Sequence, residues 1–146
     1  GYLGQVTYND FITAIDAALE ENNYDQIFVA SDNNISLAKM KDYYGDKLVY
    51  IDGLLREDIE DIPVDFPKTG EWYKDMKSTG LKRTSFQLYD NKTQEDEETS
   101  ARYFEEAFYE MLLLSKTNHI IYRESALAAC AITFAKNLSK TTRLNP

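Results

Sequence analysis

The sequence is poor in the residues that carry redox and metal chemistry, since it has one cysteine, Cys130, and one histidine, His119. A single cysteine cannot form an internal disulfide, so a reducing compartment such as the cytoplasm is the expected location. Cys130 lies among alanines and is expected in the core, and His119 is expected to be structural. The sequence also lacks CxxC, HExxH and GxSxG motifs and a glycine-rich phosphate loop. No metal cofactor is therefore expected.

Basic residues are outnumbered, and this limits the classes of partner. There are 16 Lys and Arg residues against 25 Asp and Glu residues, which gives a formal net charge of −9. Nucleic-acid binders present net basic faces, so we expect no nucleic-acid partner. An anionic membrane surface would repel the chain. No apolar run approaches the ~20 residues that cross a bilayer, so no membrane span is expected.

An alternation of helical and strand patterns predicts one α/β domain over residues 1–146. Apolar stripes at helical spacing predict helices over residues 7–20, 35–44, 95–115 and 126–137. Short continuous apolar runs are typical of parallel strands, and they lie at residues 26–31, 47–51 and 119–122. Residues 139–146 are expected to be loosely ordered. The predicted fold is a partial Rossmann-like parallel sheet flanked by helices.

In residues 52–93 the apolar residues follow neither a helical nor a strand spacing over any sustained length. About forty residues of irregular connection is unusual in a compact domain, which predicts a long functional loop or an insertion. A sheet of three strands is narrow, and we expect a domain that lacks its first strand. Open sheet edges favour self-association, so a homo-oligomer is a further expectation.

One carboxylate, Glu110, interrupts the apolar run from Phe108 to Leu114. A buried acid is costly unless a partner compensates its charge. A carboxylate can accept two parallel N–H donors, and guanine offers such a pair at N1 and at its amino group, whereas adenine does not. Glu110 is therefore a candidate base-binding residue. The alternative is a carboxylate at the edge of the helix that reaches solvent or a lysine.

Two candidate binding residues follow predicted strands, where open α/β sheets bind nucleotides. Asp32 follows the first strand and Ser125 follows the third, at the start of a helix that would favour a phosphate. Each has an ordinary alternative as a helix N-cap. Arg123 is a further candidate phosphate ligand, although Glu124 beside it would repel a phosphate.

These motifs resemble a known family, the GDP-fucose-dependent fucosyltransferases of the nodulation and α-1,6 types. The resemblance lies in the C-terminal half, and the matching segments are Ile27-Phe28-Val29-Ala30-Ser31-Asp32, Glu110 before Leu113-Leu114-Ser115, Ile120-Ile121, and Ser125. The chain differs from the family pattern at Asn33, Glu110 and Ala126, where Asp, Asp and Ser are usual. The resemblance implies the donor-binding half of a two-domain GT-B glycosyltransferase.

The resemblance also implies roles and partners. Glu110 would recognise guanine, Ser125 would hold the diphosphate, and Asp32 would belong to the sugar-nucleotide pocket. The partners would be a GDP-sugar, a glycan acceptor and an N-terminal domain of the same enzyme, without which this chain is not expected to turn over substrate. Two alternatives stay open: a non-catalytic α/β interaction domain, and a transferase that uses another nucleotide-sugar.

Overall fold

The computed structural model describes residues 6–56, 58 and 94–145. Most of the irregular region predicted over residues 52–93 therefore lies outside the described residues. The described helices are α1 (Tyr8–Glu21), α2 (Asn34–Tyr44), α3 (Gln94–Leu114) and α4 (Ala126–Phe134). The described strands are β1 (Ile27–Phe28), β2 (Leu48–Val49), β3 (His119–Tyr122) and β4 (Lys140–Arg143), and a 3-10 turn, Gly45–Lys47, precedes β2.

The strands form two parallel pairs, each joined by a helical crossover. β1 pairs with β2, with Ile27 opposite Leu48, and α2 connects them. β3 pairs with β4, with His119 opposite Lys140, and α4 connects them. The chain is therefore an α/β protein with two βαβ units. Within the described ranges these are two separate two-stranded sheets rather than the one sheet that was expected.

The expectation that residues 139–146 are loosely ordered was wrong, because β4 lies there. Its sequence, Lys-Thr-Thr-Arg, contains no apolar residue, and three of its four side chains are exposed. Hydrophobic patterning cannot detect such a strand. Backbone pairing with all four residues of β3 defines it instead.

Helix ends follow the capping signals closely. The Asp10 backbone N–H donates to Thr7 Oγ1 at 3.3 Å and the Thr7 N–H donates to the Asp10 carboxylate at 2.6 Å, which completes a capping box at α1. The side chain of Asn33, rather than that of Asp32, caps α2 by accepting from the Ile35 N–H at 2.9 Å. Asn33 therefore marks the end of the β1–α2 connection and the start of α2.

The buried apolar residues form two clusters. The first joins α1, α2 and β2 through Ile15, Leu37, Met40 and Leu48. The second joins α3, β3 and α4 through Met111, Ile120 and Ala131. Ile121 of β3 packs against the first cluster, so adjacent residues of one strand serve both cores.

The expectation that Cys130 is buried was wrong. Cys130 is exposed, because α4 turns Ala128 and Ala131 inward and leaves the residue before Ala131 outside. The apolar face of α3 is also only partly buried: Met111 is 5% exposed, but Phe104 is 73% and Phe108 is 49% exposed. None of the described helices combines the length and the apolar character that crossing a membrane requires.

Candidate functional site

A buried ion pair joins α3 to the segment that follows β2. Arg56 Nη2 lies 3.1 Å from Glu110 Oε1, and the two side chains are 3% and 9% exposed. The carboxylate that the sequence places in an apolar run is therefore buried and paired. Because water is excluded from both groups, each depends on the other for charge compensation.

Arg56 also connects the ends of both strands in the first βαβ unit. Its Nε donates to the Ser31 carbonyl at 2.9 Å, and its Nη2 donates to the Ile51 carbonyl at 2.8 Å. Ser31 lies beyond the end of β1 and Ile51 lies beyond the end of β2. One guanidinium group thus holds two strand ends and α3 in place, at the carboxyl edge where open α/β sheets bind ligands.

Three residues of α3, spaced four apart, hold the backbone just before Arg56. Arg102 Nη2 donates to the Gly53 carbonyl at 3.2 Å, and the Leu55 N–H donates to Glu106 Oε2 at 2.7 Å. Glu110 then receives Arg56 itself. Residues four apart lie on one face of a helix, so this polar face of α3 supplies hydrogen-bond partners to residues 53–56.

Opposing effects act on the pKa of Glu110. Burial raises it, and the charge and hydrogen bond of Arg56 together with the Ser31 backbone N–H lower it. The charge of Asp32 raises it further, and the net effect is upward. Asp32 itself is exposed. Of the predicted site residues, Glu110 and Asp32 are therefore close enough to influence each other.

A cleft of about 420 Å³ lies between α2 and the segment after β2. One wall is a face of α2, and the other includes Tyr50, Asp52 and Arg56. Lys41 of α2 lines it too, although its ammonium group already donates to the carbonyls of Gly45 and Leu48. Its volume falls in the range of small-molecule sites.

Ser125 and Arg123 lie in the second βαβ unit. Ser125 Oγ accepts from the Ala128 N–H at 3.1 Å, as an N-cap of α4 does. Arg123 is exposed. Within residues 6–56 and 94–145, no hydrogen bond or ion pair joins either residue to Glu110. Their roles in phosphate binding remain predictions.

His119 of β3 has structural partners on both ring nitrogens. Its Nδ1 lies 3.2 Å from the Tyr24 hydroxyl and its Nε2 lies 2.8 Å from the Thr142 hydroxyl. Burial, and secondarily the charge of Lys140, lowers its pKa. Among the described residues, no group of three or more His, Cys, Asp or Glu side chains is arranged to hold a metal ion.

Sequence reasoning did not identify Arg56. It lies in the aperiodic region, where no pattern assigns it to an element or a face. The one available signal was indirect: a carboxylate in an apolar helix requires a cation, but the sequence does not say which of its 16 basic residues supplies it.

The fold and the site together define an α/β protein of two βαβ units with a buried arginine–glutamate pair at the edge of the first. A scan of protein-family models, a search of curated proteins and a search of solved structures each give no match to this chain. The likeness to fucosyltransferases therefore rests on the sequence motifs alone.

Proposed function

We propose that this chain is the donor-binding domain of a glycosyltransferase that uses GDP-fucose or a related GDP-sugar. The observation that carries the proposal is the position of Glu110, a buried carboxylate beside the carboxyl end of β1. Nucleotides bind open α/β sheets at that edge. The fold we propose for the whole enzyme is GT-B, with a Rossmann-like donor half.

The surroundings of Glu110 support a role beyond helix packing. Burying an acid is costly, and an apolar side chain would fill this position without the cost of desolvating a charge. The segment that supplies its partner, residues 50–56, also forms one wall of the 420 Å³ cleft. Recognition of guanine at this position would explain why the helix retains a charge.

The remaining parts of the proposal follow from the resemblance. The sugar would pass to a glycan hydroxyl by direct displacement, without a metal ion. The leaving diphosphate would be stabilised by cationic groups and helix N-termini. The partner would be an N-terminal domain of the same enzyme, and the compartment would be the cytoplasm.

Calorimetric titration of GDP, UDP and ADP tests this proposal. We expect GDP to bind about tenfold more tightly than either other nucleotide, which corresponds to one or two net hydrogen bonds. The Glu110→Gln variant keeps the size of the side chain and an acceptor for Arg56, but it removes the charge. It should lose the preference for GDP while it stays folded.

The matched control is Glu105→Gln, on the same helix and five residues earlier. Glu105 is exposed and accepts from the Tyr109 hydroxyl at 2.7 Å. Its variant should retain the full preference for GDP. A wild-type protein that binds all three nucleotides equally, or a preference that survives Glu110→Gln, contradicts the proposal. A preference for UDP assigns the domain to another nucleotide-sugar.

A second candidate function, as a non-catalytic interaction domain, is favoured by the exposed side of α3. Phe104, Phe108 and Leu112 are spaced four apart and are 73%, 49% and 38% exposed. A contiguous apolar stripe of this kind marks an association surface. A second copy of the chain is the occupant we assign to it, because one helix face can pair with itself in a two-fold dimer.

Sedimentation velocity distinguishes this candidate from the first. The wild-type chain should form a dimer, and Phe108→Glu should shift it to monomer without a change in nucleotide binding. Tyr43→Glu is the control, since Tyr43 is 60% exposed on α2 and lies outside the stripe. A wild-type monomer at all concentrations excludes self-association through α3.

A further inference from the structure

The guanidinium group of Arg56 has donors that the described protein leaves unused. Arginine carries five N–H groups. Nε donates to Ser31, and Nη2 donates to Ile51 and Glu110. No described residue accepts from either N–H of Nη1. Since the side chain is 3% exposed, bulk water has little access to these donors, and a buried donor without an acceptor is costly.

Arg56 reaches the cleft and Glu110 does not. Arg56 lines the space of about 420 Å³ beside α2, whereas Glu110 is not among the lining residues. A ligand in this cleft would therefore meet the arginine first. Glu110 accepts from Nη2 of Arg56 and is not part of the cleft lining.

The charges near the cleft favour a neutral acceptor over an anion. Glu110 already compensates the charge of Arg56, and Asp42 and Asp52 line the cleft together with Lys41. Among the described residues that line the cleft, two carboxylates therefore face one cation that has no carboxylate partner, Lys41, and a phosphate placed here would be repelled. A carbonyl oxygen accepts a hydrogen bond from Nη1 without bringing a charge.

We propose that Arg56 Nη1 donates to the O6 carbonyl of guanine, and that Glu110 is a positioning residue that acts through Arg56. This inference rests on the proposed function, but in it Glu110 orients Arg56 and does not contact the base itself. Guanine presents an acceptor at O6, whereas adenine presents an amino donor at the equivalent position. Two donors would then face each other, so adenine is rejected.

Two analogues separate this arrangement from direct recognition of guanine by Glu110. IDP lacks the 2-amino group but keeps O6. 6-Thio-GDP keeps both N–H donors of the base but replaces O6 with sulfur, a weaker acceptor. Binding of each to the wild-type protein is measured by calorimetry beside GDP, UDP, ADP and pyrophosphate, so the result does not depend on any variant folding.

We expect IDP to bind within about twofold of GDP and 6-thio-GDP to bind about tenfold more weakly, because one hydrogen bond to a charged donor is weakened. The opposite pattern, in which IDP is weakened and 6-thio-GDP is not, overturns the inference and returns base recognition to Glu110. Pyrophosphate that binds as tightly as GDP also overturns it, because Arg56 would then be a phosphate ligand.

The Arg56→Lys variant provides a second test. Lysine has one terminal nitrogen where arginine has two. It therefore cannot bind Glu110 through one nitrogen and donate to the base through the other. GDP and 6-thio-GDP should then bind equally. Arg143→Lys, at an exposed ion pair, should preserve the difference between the two ligands. Persistence of the difference in Arg56→Lys contradicts the inference.

Failure of the proposed function has a different signature from failure of this inference. If the domain does not use a GDP-sugar, GDP shows no advantage over UDP and ADP. If only the role of Arg56 is wrong, GDP keeps its advantage while IDP, rather than 6-thio-GDP, loses affinity.

Discussion

The β1–α2–β2 unit and the β3–α4–β4 unit share an order of elements and a parallel strand pair, but they treat charge differently. The first is closed by Arg56 and Glu110, whose side chains are 3% and 9% exposed. The ion pair of the second, Arg143 with Glu124, is 50% and 77% exposed. Breaking the arginine–glutamate pair is therefore expected to cost much stability in the first unit and little in the second, because only the first pair is buried.

The difference also separates two kinds of ligand site that the sequence suggests. The second unit offers a serine at a helix N-terminus, and in the structure that serine caps its own helix. The first unit offers a buried charge pair against a cleft. A buried charge pair that lies against a cleft is the stronger indication of function.

The largest expected effect is the loss of stability in Arg56→Ala. This change leaves Glu110 without its partner and removes the donor from two backbone carbonyls, so we expect the free energy of unfolding to fall by about 3–5 kcal/mol. Urea denaturation measures it. Arg143→Ala in the second unit should cost less than about 1 kcal/mol. Equal losses from the two variants would remove the distinction between the units.

The double variant Arg56→Met with Glu110→Leu should recover most of that loss. It removes both charges and fills the space with apolar groups, and such replacements of buried pairs are often neutral or stabilising. The carbonyls of Ser31 and Ile51 still lose their donor, so we expect stability within about 2 kcal/mol of wild type. A double variant as unstable as Arg56→Ala would show that backbone anchoring, not charge compensation, dominates.

The helix caps of the two units should be equivalent in energy. Asn33→Ala and Ser125→Ala should each lower the free energy of unfolding by about 1 kcal/mol, and glycine at either position should cost only a few tenths. Urea denaturation of the four variants checks this. A GDP titration of folded Ser125→Ala then tests the remaining prediction that this serine binds a phosphate.

The smallest effect concerns His119 of β3, whose ring nitrogens lie near the hydroxyls of Tyr24 and Thr142. Its pKa is lowered in the folded protein, so the unfolded chain binds the proton more readily. This contribution to stability is fully present above the unfolded pKa of about 6.5, and it is lost as the pH falls from there through the folded pKa. His119→Gln should therefore show a weaker loss of stability between about pH 7 and pH 5. Denaturation curves that shift equally in both proteins would contradict this assignment.

Much of the fold was predictable because it follows local rules. β3 occupies the predicted residues 119–122, and the four helices begin within a residue of their predicted starts. β4 was not predictable, since polar residues exposed on an edge carry no hydrophobic period. The site was half predictable. The cost of burying Glu110 singled it out, but its partner lies 54 residues away in an aperiodic segment.

The most direct test of the account is a calorimetric titration of GDP and UDP against the wild-type protein and the folded Arg56→Met, Glu110→Leu double variant. The two substitutions lie outside the strands β1 to β4 and outside the α2 wall of the cleft, so we expect both proteins to keep these elements. We expect a preference for GDP of about tenfold in the wild type and none in the double variant. A folded double variant that still prefers GDP would contradict the claim that this buried pair is the base-recognition site.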